Sequence, residues 1–426
     1  MNQPPIPRNA PSSARWWVLG VVSLLTFGNY YAYDAIAPLA SQLSNELGFS
    51  DTQIGSLNAV YSLPNIFLVL VGGLLVDKFG TGRIAVWTAG LCFLGISLTA
   101  IWGEYLPIVM GRFLFGIGAE TLLVAVTVVI GIWFGRNVVG LAMAVNLSIG
   151  RMGSYAADKS PDWFGGLYDQ GWQGPMILAA TLTGMSFLCA LIYRQIDKPR
   201  QMGFVVVDAE PPPTERVRLQ DIFHFDRSFW YIAILNVLFY SVIFPFRSTF
   251  AIKYFQDAHG QSLVEASTLN SYVFLAAIIL TPLFGWTADK FGHRGKQMMV
   301  GSLLLPLSFL GLLSEDWGLW LTTVLLGVSF SLIPAILWPS VVKLVEKHQL
   351  GTAYGLMFMV QAIGVTAANM IAGALNDAAG AGVDNPVGYT PMLIFFALLA
   401  SSAFVFAVAL WRREIGPHGH GLEIAR

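Results

Sequence analysis

The chain has 426 residues, is 55% hydrophobic and only 12% charged, and carries a formal net charge of −1. A water-soluble domain holds about twice that charged fraction, and a mean hydropathy of +0.63 excludes one here. The expectation is an all-α, multi-pass membrane protein.

Residues 1–15 (MNQPPIPRNAPSSAR) are polar and Pro-rich, without the apolar core and small-residue cleavage site of a removed signal peptide; they read as a cytosolic tail. Twelve apolar segments follow, each long enough for a hydrocarbon core of about 30 Å, at about 16–46, 52–76, 84–103, 105–134, 138–168, 174–196, 226–258, 264–288, 297–314, 317–346, 350–379 and 388–411. Between the sixth and seventh lies a charged stretch with three consecutive prolines, residues 197–225, a cytosolic linker between six-helix bundles at 16–196 and 226–412. A short amphipathic helix over 214–223 fits the spacing of Val217, Leu219 and Ile222. Residues 413–426 close the chain as a cytosolic tail. Pro64, Pro245, Pro334 and Pro339 are expected to break helix hydrogen bonding and serve bends or gates. Cys92 and Cys189 fall inside apolar segments and read as packing. Neither a metal-ligand spacing nor a nucleophile–base constellation emerges, so no metal, no cofactor and no enzyme are expected.

With the N-terminus in the cytosol, Lys and Arg crowd the cytosolic loops, from Arg8 and Arg15 to Arg412 and Arg413, while the opposite loops keep Lys159, Arg247 and Lys253. That asymmetry fixes the expected orientation. The outer loops hold no N-x-Ser/Thr sequon and the N-terminal tail no acidic dileucine signal, which favours a prokaryotic inner membrane with both termini cytoplasmic.

The two halves repeat. Gly73-Leu-Leu-Val-Asp77-Lys78-Phe79-Gly80-Thr-Gly-Arg83 closes the second segment and Gly285-Trp-Thr-Ala-Asp289-Lys290-Phe291-Gly292-His-Arg294 the eighth, at an offset of 212 residues. Gly73 and Gly285 are expected to let helices approach closely. Asp77, Lys78, Arg83, Asp289 and Lys290 read as a cytosolic latch, with Arg136 the candidate partner of Asp77. The plainer alternative is a topogenic turn whose charges anchor the loop.

Two ions stand near the middle of apolar segments: Glu120 in the fourth and Arg151 in the fifth, each roughly 20 Å from its entry end at 1.5 Å per residue. Either would cost roughly 2.5–3.5 kcal/mol at the bilayer centre, so they belong in a protected cavity. A carboxylate suits an ammonium and a guanidinium suits a carboxylate; an extended dipeptide offers both, roughly 5–7 Å apart. A structural Glu–Arg bridge remains the alternative, as does a pair that closes when empty and is prised apart by a zwitterion. Asn29, Tyr30, Tyr33, Tyr61, Asn65, Trp338 and Gln361 could line the same cavity. Asp34, Arg112 and Arg247 sit toward the outer ends of their segments as a candidate outer gate, and Asp34 or Glu120 could carry a coupling proton.

Twelve helices in two halves with this motif twice resemble the major facilitator superfamily over essentially the whole chain. Within it, Asn29-Tyr-Tyr-Ala-Tyr-Asp34, Tyr61-Ser-Leu-Pro-Asn65, Gly111-Arg-Phe-Leu-Phe-Gly-Ile-Gly-Ala-Glu120, Ser148-Ile-Gly-Arg-Met-Gly-Ser154, Phe244-Pro-Phe246, Leu337-Trp-Pro339 and His348-Gln-Leu-Gly-Thr-Ala-Tyr-Gly355 look closest to the lysosomal dipeptide transporter branch. The resemblance implies that fold, dipeptide transport, and an acid on helix four and a base on helix five that hold the peptide termini. The lysosomal proteins work with a glycosylated accessory subunit; none is assumed here, and a monomer is expected. Ala157-Asp-Lys-Ser-Pro-Asp162 departs from the pattern, being polar and Pro-broken. The function expected is secondary transport of dipeptides by alternating access, with substrate and lipid bilayer as partners and no nucleic acid. The alternatives are a proton-coupled carrier or exporter of another small zwitterion or organic anion, and a non-transporting receptor or scaffold.

Overall fold

The computed structural model describes residues 8–9, 12–134, 138–201, 205–206, 225–314, 317–346 and 349–424. The expected linker helix over 214–223 and Arg136 lie outside the described residues. The first half is α1 (Ser12–Asp34), α2 (Ala40–Leu47), α3 (Asp51–Ser62), α4 (Asn65–Phe79), α5 (Thr81–Ile101), α6 (Tyr105–Trp133), α7 (Val139–Trp163), α8 (Gly165–Tyr168) and α9 (Gln173–Gln201). The second is α10 (Arg227–Pro245), α11 (Ala251–His259), α12 (Leu263–Phe291), α13 (Arg294–Ser314), α14 (Gly318–Leu344), α15 (Leu350–Ala379) and α16 (Thr390–Glu414). Arg8–Asn9 pairs with Val205–Val206, a two-residue parallel ladder.

These helices make twelve spans, with α3–α4 and α10–α11 each forming one interrupted span. Among the described residues nine are apolar and long enough to cross a membrane outright, and the bent α3–α4 pair makes a tenth. The two that fall short are α1 and α7. Their hydropathy is diluted by Asn29, Tyr30, Tyr33 and Asp34 in one, and by Arg151, Asp158 and Lys159 in the other.

The halves carry separate apolar cores, and their packing repeats. In the first, α1 packs on α7 and α9 and α5 on α6 and α9; in the second, α10 packs on α15 and α16 and α13 on α14 and α16. Ser50 and Ser262, 212 residues apart, head α3 and α12 with reciprocal capping boxes to Gln53 and Glu265. A Cβ on Gly153 would sit 2.3 Å from the Phe27 carbonyl oxygen of α1, and one on Gly364 would sit 2.4 Å from Ser241 Oγ of α10. The corresponding helices thus need glycine at the same contact.

The prolines divide. Pro64 separates α3 from α4, and Pro245 ends α10 in a π turn over Phe246–Phe250. Pro334 and Pro339, expected to break helix hydrogen bonding at bends or gates, lie inside α14, which runs on past both. Pro161 likewise leaves α7 continuous to Trp163; the Ala157 carbonyl that it cannot bond accepts Ser160 Oγ at 2.6 Å instead. At the end holding the termini, Asp226 caps α10 and pairs with Arg413 at 2.6 Å. Burial pulls its carboxyl up, but the Ser228 N–H and the guanidinium outweigh that and hold it down to about 2. The chain after α16 folds back on this face, where the Leu422 carbonyl accepts from Arg294 N at 3.0 Å and Lys343 Nζ bonds the Gly421 carbonyl at 2.8 Å.

Candidate functional site

A cavity between the halves holds about 830 Å³ of empty space, the solvent at its open mouth included. From the first half it is lined by Asn29, Tyr30, Tyr33 and Asp34 of α1, by Tyr61, Ser62 and Asn65 around the α3–α4 break, and by Glu120 and Leu123 of α6; the second half adds Phe244, Phe358, Gln361, Ala362 and Val365. The break at Pro64 turns both Tyr61 and Asn65 toward one space. Tyr61 OH donates to Glu120 Oε1 at 3.1 Å. The side-chain oxygens of Asn29, Asn65 and Gln361 are buried without hydrogen-bond partners.

Glu120 and Arg151 form no ion pair, so the expected bridge of the empty state is absent. Arg151 is not among the lining residues; its guanidinium lies 5.3 Å from the Tyr30 ring, 4.9 Å from Phe330 and 5.5 Å from Phe274. The two phenylalanines belong to the second half, so this cation of the first half rests on rings of the other. Its Nη1 is buried without a partner. Trp338 also stands outside the lining: its Nε1 donates to Tyr240 OH at 3.1 Å, and its ring stacks at 4.5 Å on Phe358, which does line it.

At the end opposite the termini, called here the far end, two of the three candidate gate residues meet. Arg247, carried inward by the π turn, bonds Asp34 Oδ1 at 2.6 Å and also Asp158, with each side chain no more than 1% exposed. Asn270 Nδ2 steadies the cluster by donating to Asp158 Oδ1 at 3.1 Å. Arg112 is not part of this ion cluster. Its guanidinium is spent on the carbonyls of Ala32 and Tyr33 and on Asn58 Oδ1, at 2.9, 3.3 and 2.5 Å. It acts one step back: Asn58 Nδ2 in turn donates to the Ser248 carbonyl at 2.9 Å across the halves.

A second far-end network was not foreseen from the sequence. Lys253 pairs with Asp51 and Asp257, each at 3.0 Å, and Asp377 of α15 accepts from the backbone N–H of Asp51 and Thr52 at 2.8 and 2.9 Å. A carboxylate of one half thereby caps a helix of the other. Asp158 had a signal: it stands seven residues, two helical turns, after Arg151 and so on the same face. Asp377 had none, because its role depends on which helix end it meets.

The repeated motif gives a different picture. Gly80 and Gly292 adopt positive φ, +83° and +68°, which accounts for the glycines that end α4 and α12. Gly73 and Gly285, expected at close helix contacts, have nothing within 4 Å of an added Cβ; the helices stand apart there. Asp289 pairs within its own loop, with Arg294 at 2.5 Å. Lys78 and Lys290 lie over Phe79 and Trp286 at 5.3 and 4.6 Å, and Arg83 is exposed. Among the described residues no acid–His–Cys cluster could hold a metal.

The Major Facilitator Superfamily model matches residues 22–250 and 229–424. The Lysosomal dipeptide transporter MFSD1 of Danio rerio is 31% identical over 96% of this chain and 88% of its own length, and that of Homo sapiens is 31% identical over 93% and 86%. Among solved structures, a bacterial homolog of the human lysosomal transporter Spinster, inward-facing and unoccupied, superposes with a TM-score of 0.74 at 15% identity over 95% of this chain and 98% of that one. A POT family transporter in complex with 5-aminolevulinic acid gives 0.70 at 16% over 93% and 95%. The chain is a multi-pass integral membrane transporter rather than an enzyme, and it belongs to the major facilitator superfamily.

Proposed function

We propose that this transporter moves dipeptides by alternating access between its halves, with Glu120 holding the peptide ammonium and Arg151 its carboxylate. The observation that carries the reading is a half-buried acid that lines the cavity and a half-buried base against the ring of Tyr30, a lining residue, with no ion pair between them. Keeping both ions apart in the protein interior is costly unless a ligand meets them. A zwitterion of roughly 5–7 Å between charges meets both. Tyr61, Asn65 and Gln361 complete the pocket, and Trp338 supports it through Phe358. The name of the vertebrate relatives supports peptide as cargo.

In this reading the termini end faces the cytosol of a prokaryotic cell, which the excess of Lys and Arg on that side supports. The far-end bonds then close the outer mouth, and Asp77, Lys78, Arg83, Asp289 and Lys290 make the cytosolic latch in the opposite state of the cycle. The 5-aminolevulinic acid held by the POT family neighbour favours a second reading, a smaller zwitterion with one ammonium and one carboxylate.

Glu120→Gln and Arg151→Lys should each abolish or greatly weaken dipeptide binding in folded, purified protein. Normal binding and transport by both would contradict the assignment; loss of folding in both would return the pair to a structural role. Uptake into vesicles with and without a pH gradient reads whether a proton on Asp34 or Glu120 is coupled.

A further inference from the structure

Beside its tyrosine and serine hydroxyls, the cavity's ionic and unsatisfied groups are one-sided. Its lining contains no Lys, Arg or His. It offers the Glu120 carboxylate and three amide oxygens, of Asn29, Asn65 and Gln361, that have no hydrogen-bond partner. Leaving buried acceptors unmade is costly, and such a wall calls for a ligand rich in N–H and free of lone pairs. A primary ammonium is that group: three donors and no acceptor.

The acceptors are also divided between the moving parts. Asn29, Asn65 and Glu120 stand on α1, α4 and α6 of the first half. From the second half the lining residues are Phe244, Phe358, Ala362 and Val365, all apolar, and Gln361. Gln361 is therefore the one polar contact that the second half can offer a ligand from this wall.

We infer that Gln361 is a specificity-determining residue that accepts one N–H of the substrate ammonium while first-half acceptors take the others, so that an unsubstituted ammonium ties the two halves together. This rests on the dipeptide reading above. An N-methyl amine keeps its charge for Glu120 but has one N–H too few for Gln361 and two first-half acceptors together, and an N,N-dimethyl amine, with one N–H, cannot bond both halves at once. Binding through Gln361 then favours the conformer in which the halves are close, as a ligand must if it is to shift that balance.

The test uses full-length protein and three ligands of equal charge: alanyl-alanine, its N-methyl derivative and its N,N-dimethyl derivative. Wild-type affinity should fall roughly tenfold for each N–H removed. Gln361→Leu should bind alanyl-alanine about tenfold more weakly and lose most of the preference between the primary and N-methyl ligands, whereas Gln361→Glu, which keeps an acceptor, should retain it. Equal wild-type affinity for all three overturns the inference without a variant. So does a Gln361→Leu protein that discriminates as well as wild type. If Glu120→Gln binds every ligand normally, the dipeptide reading itself has failed; if it loses binding while Gln361→Leu discriminates fully, only the role of Gln361 has.

Discussion

The two ends of this transporter are built in opposite ways. At the far end, ions and amides from α1, α3 and α7 bond partners on α11, α12, α15 and the π turn, and Arg247 with Asp34 and Asp158 is shut away from solvent. At the termini end, the motif loops bond within themselves, as Asp289 does with Arg294, and Gly73 and Gly285 face open space. The contrast separates what is conspicuous in the sequence from what holds the molecule in this state. The repeated motif lies where the contacts around it are local; the far end is held by single residues scattered over seven elements.

The strongest way to break this contrast is Arg247→Gln. It leaves Asp34 and Asp158 buried with no counter-charge, at a cost of roughly 3–5 kcal/mol. A reporter cysteine at Ala266, buried near the far end of α12, should become reactive from that side, and net transport should fall. Adding Asp158→Asn should recover part of the closure, since it removes one of the two stranded charges. An unreactive reporter in the single variant would mean that the far end is held by apolar packing alone.

A smaller effect is expected at the other end. Asp77→Asn removes a charge-assisted contact of roughly 1.5–3 kcal/mol from the opposite, latched state, shifting a two-state balance by about ten- to a hundredfold. A reporter at Leu123 in the cavity wall should label faster from the termini side, with slower transport and unchanged competition among peptides. Unchanged labelling with normal transport would make Asp77 a topogenic loop residue.

The smallest effect concerns the Asp226 cap. Its folded pKa lies below the ordinary carboxylate value, so its stabilisation is present above that value and is lost as pH falls toward about 2. The Asp226 side chain is 32% exposed, and screening keeps its pair with Arg413 within roughly 0.2–1 kcal/mol. Asp226→Asn should therefore melt slightly below wild type at pH 7, and the gap should narrow as pH drops through 4 toward 3. A gap that widens in acid would contradict the sign.

Much of this was legible in the chain. Apolar length and basic loops gave twelve spans, and the 212-residue offset extends even to the paired capping boxes at Ser50 and Ser262. Glu120, Tyr30, Tyr61, Asn65 and Gln361 do share one cavity, because polar groups in apolar helices must face inward. The helix pattern could not say that Arg151 rests against Tyr30 while Glu120 lines the cavity, since residue number gives depth at about 1.5 Å per residue but not the angle at which a helix is set in the bundle. Nor could it say that Arg112 bonds the carbonyls of Ala32 and Tyr33 and reaches the other half only through Asn58. The Asp377 cap and the π turn that carries Arg247 inward depend on tertiary contacts with no local signature.

The central claim is that two half-buried charges inside the spans, Glu120 and Arg151, read the two ends of a peptide. The most direct measurement is the affinity of purified protein for a free dipeptide, its N-acetyl form, its C-amide and the doubly blocked form, by calorimetry at one pH. Stranding one buried charge costs roughly 2–5 kcal/mol, so each singly blocked peptide should bind at least tens of times more weakly than the free one. Equal affinity for the free and doubly blocked peptides would show that Glu120 and Arg151 do not read the termini.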